Sequence, residues 1–180
     1  MITIGLDLSL VKSGIAIIKD NGTVLYSGLI KSKPSGDKPL HETKRIIKIV
    51  EDVFEKIDEI LPKEDPDLVV IEGLAFMAKG TSLVQLSGLN YIARAILTEL
   101  EWPFMIVQAT TLKKFITQKG NAEKDLMMMA IFKDYGFESQ DNNQGDAYGL
   151  SICGLAALGK SLKKLTIPQQ EVVSLLQKQL

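Results

Sequence analysis

A chain of 180 residues with 46% apolar side chains and a formal net charge of −1 suits one globular domain that buries a full core. The single cysteine, Cys153, excludes an internal disulfide, and the longest apolar runs fall well short of the roughly 18 to 20 residues that cross a bilayer, so no membrane span is expected. A first strand beginning almost at Met1 leaves no room for a secretory leader, and a reducing cytoplasm is the expected setting.

The chain opens with three predicted strands, at residues 2 to 7, about 13 to 19 and about 23 to 31, with Asp20-Asn21-Gly22 as the turn between the second and third. After a loop rich in Pro, Gly and Ser at 34 to 39, apolar residues at Ile46, Ile49/Val50, Val53/Phe54, Ile57 and Ile60/Leu61 recur at helical spacing, and Pro62 ends that helix. The continuous apolar run at 68 to 71 reads as a buried strand. A long helix at 81 to 100 and a fifth strand at 104 to 107 follow, then helices at about 109 to 116, 122 to 135 and 143 to 158, and a terminal one after Pro168. This order predicts an α/β fold: a mixed five-stranded sheet, a three-stranded meander plus two parallel strands, flanked by helices.

Two acids end predicted strands. Asp7 closes Ile2-Thr3-Ile4-Gly5-Leu6-Asp7 and Glu72 closes Leu68-Val69-Val70-Ile71-Glu72. Parallel strands end at one edge, so both carboxylates should lie at the carboxyl edge, where ligands bind in open α/β sheets. A third acid, Asp146, sits in the small, apolar run Asp146-Ala147-Tyr148-Gly149-Leu150 and joins them if its helix packs back on the first strand. A carboxylate in such surroundings costs several kcal/mol of desolvation unless a cation or hydrogen-bond partner compensates it. Taken singly, Asp7 can be a turn former and Asp146 an acid complementing a helix N-terminus.

The near-neutral total hides an uneven spread of charge. Between Glu51 and Asp67 eight acids oppose Lys56 and Lys63, whereas from Leu112 to Lys124 four lysines face only Glu123. What steers a polyanion is the local field, so the overall balance does not exclude nucleic acid.

The stretch Gly5-Leu6-Asp7-Leu8-Ser9 followed by Ser13-Gly14, the strand end Val70-Ile71-Glu72, and the late Asn143-x-x-Asp146-Ala147 resemble the RuvC family of Holliday-junction resolvases, of ribonuclease-H-like fold. Two further passages strengthen the resemblance, which runs from about residue 2 to 158. They are Phe76-Met77-Ala78-Lys79 and Leu112-Lys113-Lys114 followed by Lys119-Gly120-Asn121-Ala122-Glu123-Lys124. The separation of Lys113 and Lys124 matches that of two functional lysines of the family. The short chain resembles phage-encoded members as much as bacterial ones. The resemblance implies a nuclease domain at 1–160, with 161–180 as a C-terminal helical extension of the same domain.

It further implies that Asp7, Glu72 and Asp146 bind metal, with Asn143 in the fourth position. There the family usually has Asp or His; an amide oxygen brings no charge and cannot act as a base, and Asp141 remains an alternative. Lys113, Lys114, Lys119 and Lys124 would meet DNA phosphates, with Lys79 nearby, and Phe76 would wedge against a base at the junction. Without the family spacing these lysines read as a solvated face and Phe76 as core. Ser9 and Ser13 read as turn residues, the methionines at 127 to 129 as core and helix surface, and His41 is assigned nothing.

Magnesium is the implied cofactor, as two ions that manganese can replace, because it takes oxygen ligands and keeps its waters. Two ions about 3.5 to 4 Å apart would activate water and stabilise the leaving oxygen, giving a 5′-phosphate and a 3′-hydroxyl. No Ser/His/Asp or Cys/His set is available for a covalent route. The expected substrate is branched DNA, chiefly four-way junctions, with flaps and forks as further candidates. Apolar positions around the helix at 81 to 100 exceed what one sheet face needs, which suits a homodimer matching the two-fold symmetry of a junction. Three other readings stand beside this one: a ribonuclease-H-like enzyme acting on RNA, a catalytically weak junction-binding module, and a nucleotide-binding half-domain like those of actin and sugar kinases.

Overall fold

The structure is a computed structural model and describes the chain except residues 35, 37 and 75–79. Three antiparallel strands, β1 (Ile2–Asp7), β2 (Lys12–Lys19) and β3 (Val24–Lys31), lead into helix α1 (Pro39–Ile60). Strand β4 (Leu68–Glu72), α2 (Thr81–Glu99), β5 (Phe104–Val107), α3 (Ala109–Thr117), α4 (Lys124–Tyr135), α5 (Asn142–Ala157) and α6 (Ile167–Leu176) complete the fold. The sheet order is β3-β2-β1-β4-β5, with β4 parallel to β1 and to β5. The mixed sheet expected from the sequence is the one observed.

Alternation along the strands divides the core into two layers, because successive side chains point to opposite faces. Ile4, Leu6, Val69 and Ile71 pack beneath α1 and α2, which contribute Ile49, Val53, Ile57, Leu89, Ala93 and Leu97. Leu68, Val70, Met105 and Val107 pack on the other face against α3 to α6. Each fully buried Leu or Ile contributes about 1.5 to 3 kcal/mol. Covered on both faces, β1 is buried throughout and β4 through Ile71, which is why Leu68-Val69-Val70-Ile71 reads as a continuous apolar run.

Two helix starts differ from the sequence expectation. Helix α4 begins at Lys124, since Glu123 is extended and Ala122 closes a turn on Lys119. Helix α6 begins at Ile167, with Pro168 inside its first turn, where a missing N–H leaves no intrahelical bond unmade.

Candidate active site

The register of the sheet builds the acidic centre. Leu6 pairs with Ile71 in the parallel β1–β4 ladder, so the next residues, Asp7 and Glu72, end side by side at the carboxyl edge. Both share the parity of Thr3, Gly5 and Val70, the side chains and backbone that face α5. The two carboxyl groups meet within hydrogen-bonding reach, although Asp7 is only 7% exposed. Two carboxylates can share such a contact only if one carries a proton or a cation lies between them.

Helix α5 brings Asp146 to the same place. It runs antiparallel to β1, from Asn143 beside Gly14 to Gly154 beside Leu68 and Val70. The two glycines on the strands make the approach possible: a Cβ on Gly5 would lie 1.9 Å from the Ala147 carbonyl oxygen, and one on Gly14 would lie 2.0 Å from that of Asn143. The Thr3 and Ser151 hydroxyls meet at 2.9 Å, and Ser151 also donates to the Thr3 carbonyl, which fixes the register of helix on strand.

Burial drives the electrostatics. Desolvation, then the contact with Glu72 and the nearby Asp146 charge, push the Asp7 carboxyl up to about 9, and Lys124 opposes the rise. Asp146 is raised to about 6 by burial and by Glu72, with Lys124 and Lys113 opposing. Among the described residues, Lys124 therefore acts on both Asp7 and Asp146, and Lys113 on Asp146. Asp146 stands back from the Asp7–Glu72 contact: among the described residues no three such side chains are gathered tightly enough to hold one ion together. The donors are nonetheless all oxygen, carboxylates with no ion-pair partner among the described residues, which is the chemistry a hard divalent ion satisfies.

Asn143 and Asp141 form a second tier, organised by a residue the sequence did not single out. The Asn143 amide nitrogen donates to the Lys12 carbonyl at 2.5 Å, so only its oxygen remains for a ligand role. Asp141 caps α5, accepting from the Asn143 N–H at 3.0 Å, and pairs with the Lys12 ammonium at 2.9 Å. That ammonium holds the Asp141 carboxyl below the usual carboxylate range. Asp141 is thereby engaged as a cap and an ion-pair partner.

Asn90 is the other residue unremarked in the sequence. Buried in α2, it donates to the Glu72 carbonyl at 3.3 Å and fastens the end of β4. An amide within an otherwise apolar helical stripe was its only signal. Ser9 and Ser13 serve the β1–β2 turn as expected: Ser13 Oγ donates to the Ser9 carbonyl and accepts from the Ser9 N–H.

The lysines divide. Lys113 and Lys124 lie near the acids, Lys119 is exposed in the turn between α3 and α4, and Lys114 faces away toward α6, where it pairs with Glu171 at 2.7 Å. The expectations for Phe76 and Lys79 fall outside the described residues.

A ribonuclease-H-like sheet with one buried and two half-buried acids at its carboxyl edge and two lysines near them defines the class of protein, a nuclease of that fold. The family model for crossover junction endodeoxyribonuclease RuvC matches residues 3–173. The chain belongs to the RuvC family of crossover junction endodeoxyribonucleases.

The relatives are distant in sequence but similar over nearly their whole length. The RuvC protein of Carboxydothermus hydrogenoformans is 26% identical over 162 residues, covering 87% of this chain and 96% of that protein. The RuvC protein of Brachyspira hyodysenteriae is 23% identical over 155 residues, 84% and 92% of the two chains. Among solved structures, Thermus thermophilus RuvC in complex with a Holliday junction substrate matches with a TM-score of 0.71 at 17% identity, covering 89% of this chain and 97% of that one. At that identity the match speaks for the fold.

Proposed function

We propose that this RuvC-family endonuclease nicks four-way DNA junctions by metal-assisted hydrolysis at the Asp7, Glu72 and Asp146 carboxylates. The observation that carries the reading is the contact of the buried Asp7 with the half-buried Glu72 on the face that α5 covers, a pair whose charge a proton or a cation must offset. Magnesium or manganese fits this oxygen-only set and would supply an activated water and stabilisation of the leaving oxygen. Asp7 and Glu72 would hold the ions from the sheet, Asp146 from the helix, and the Asn143 amide oxygen would add a neutral donor.

Lys113 and Lys124 are read as phosphate contacts that position the strand; Lys119 is a further one at the turn, and Lys114 a minor one because of its pairing with Glu171. Branched DNA is the proposed substrate, a reading supported by the similar Thermus thermophilus RuvC, whose structure is a complex with a Holliday junction substrate. The proposed assembly is a homodimer through α2, on which Val84 and Tyr91 are 70% and 61% exposed. Residues 161–180 are read as an extension of the same domain: Val172, Val173 and Leu176 of α6 belong to the core shared with α5, and the Gln169 amide donates to the Phe115 carbonyl at 2.7 Å. No helix among the described residues is long and apolar enough to cross a membrane.

The test is to incubate the protein with labelled four-way junction, flap, duplex, single strand and RNA·DNA hybrid, each with magnesium, manganese or a chelator. Paired symmetric nicks in the junction, with 5′-phosphate ends and a metal requirement, are expected. Cleavage of RNA alone would favour a ribonuclease, and junction binding without cutting under any metal would make the chain a binding module.

A further inference from the structure

We propose that the basic cleft between the end of β3 and the first three turns of α1 binds backbone phosphates of the duplex arm leading away from the cut. The inference rests on the DNA-nuclease reading above and extends it to a surface remote from Lys113 and Lys124. The cleft has a volume of about 500 Å³ and is lined by Lys31, Lys33, Lys44, Arg45 and Lys48 against Asp52, with the hydroxyl of Ser32 and the ring of His41 completing the wall.

Its charge is available. Lys48 is tied to Asp52 at 2.9 Å, which neutralises both, but Lys31, Lys33 and Lys44 form no ion pair among the described residues. Arg45 is held in place: its Nε donates to Ser32 Oγ at 3.0 Å and a terminal nitrogen donates to the Leu10 carbonyl. Two of its five N–H donors are thus engaged and three remain, on a guanidinium already ordered before any ligand arrives.

Its position is set by the ladder. Asp7 pairs with Gly14, and Gly14 with Leu29, so Lys31, Ser32 and Lys33 lie just beyond the same edge of the sheet as the acids. Across the strands the offset is two spacings, about 10 Å, and Lys31 and Lys33 lie two and four residues beyond Leu29 at about 3.4 Å per residue, so the cleft engages duplex past the scissile phosphate. The N-terminus of α1, a 22-residue helix, opens at this edge and adds the positive end of its dipole.

The distribution of charge along α1 agrees. Its first half carries Lys44, Arg45 and Lys48 against Glu42, whereas in the second Glu51, Asp52, Glu55, Asp58 and Glu59 outnumber Lys56. A polyanion lying over the catalytic edge meets the basic half and stays clear of the acidic one.

The experiment compares the native protein with the double variant Lys33→Gln/Lys44→Gln, measuring affinity for a four-way junction across a salt series in chelator, where nothing is cut. Each phosphate contact contributes about 0.9 to the slope of log affinity against log salt, so the variant should show a slope shallower by roughly 2, with an unchanged nicking rate at saturating DNA and magnesium. A control pair outside the cleft, Lys160→Gln/Lys178→Gln, should keep the native slope. An unaltered slope in the cleft variant, or an equal change in the control, overturns the proposal; so does a loss of inorganic phosphate binding with the DNA slope intact. Should the native protein bind a junction no better than duplex, the junction reading fails, and the same slope comparison on duplex DNA still decides the cleft.

Discussion

Gly5 and Ala147 meet backbone to backbone, so closely that a single methyl group on Gly5 would lie 1.9 Å from the Ala147 carbonyl oxygen. Ala147 follows Asp146, and this contact therefore sets how near the third carboxylate comes to the other two. Gly14 has the same role on the neighbouring strand, against the carbonyl of Asn143.

Gly5→Ala should push α5 off the sheet. Overpacking of this kind destabilises by about 1 to 3 kcal/mol, or roughly 2 to 10 °C in Tm for a chain of this length. Nicking should fall much further than the residual folded fraction explains, because Asp146 moves with the helix. Thermal melts beside nicking rates on the same preparation check both halves.

The metal-free protein should lose stability as pH rises. Asp7 and Asp146 have folded values of about 9 and about 6 against an ordinary value of 3.8, so between those limits the folded chain binds more protons than the unfolded one. The slope of unfolding free energy with pH is then negative: the favourable contribution is complete below about 4 and disappears through about 6 for Asp146 and about 9 for Asp7. Calorimetric scans in chelator from pH 5 to 9 should show Tm falling, and Asp7→Asn should raise Tm at pH 8 and flatten the profile. A native profile as flat as the variant's would contradict the buried, raised Asp7.

Removing the acids separates chemistry from binding. Asp7→Asn, Glu72→Gln and Asp146→Asn should each reduce nicking by on the order of 100-fold or more, since several kcal/mol of charge stabilisation goes with the ion. Junction affinity in chelator should persist. Parallel loss of affinity would mean that these acids support the fold or the DNA surface instead.

Asn143→Asp trades a neutral donor for a charged one. The variant forfeits the amide bond to the Lys12 carbonyl and sets a carboxylate against that oxygen, a loss of about 1 to 3 kcal/mol. If the side-chain oxygen faces an ion, the magnesium concentration giving half-maximal nicking should nevertheless drop several-fold. A magnesium titration that does not move, or moves upward, removes Asn143 from the ligand set.

Lys113→Ala and Lys124→Ala should each flatten the salt dependence of junction binding by about 1, as expected for one phosphate contact. Lys114→Ala should change it little, because Glu171 already engages that ammonium. Equal effects at all three positions would point to a diffuse field rather than defined contacts.

Much of this architecture was legible in the sequence because the signals were local. Strand runs, the Asn-Gly turn and the period of α1 follow from side-chain pattern alone, and the parallel ending of β1 and β4 follows from the helix between them. The adjacency of Asp7 and Glu72 was therefore foreseeable. Three features were not, each because it depends on a contact between distant segments. Lys12 organises Asp141 and Asn143 across more than 120 residues, Asn90 fastens Glu72 from another element, and Lys114 turns away from Lys113 because α6 places Glu171 beside it. The start of α4 also escaped, since the turn at Lys119 to Ala122 competes with helix over the same residues.

The most direct measurement is the number of divalent ions held by the protein with an intact junction, read by isothermal titration of magnesium into the complex and repeated with Asp7→Asn. Two ions per chain are expected for the native protein, with a clear loss in the variant. No uptake by the native complex, or uptake indifferent to Asp7, would contradict a metal centre built on these acids.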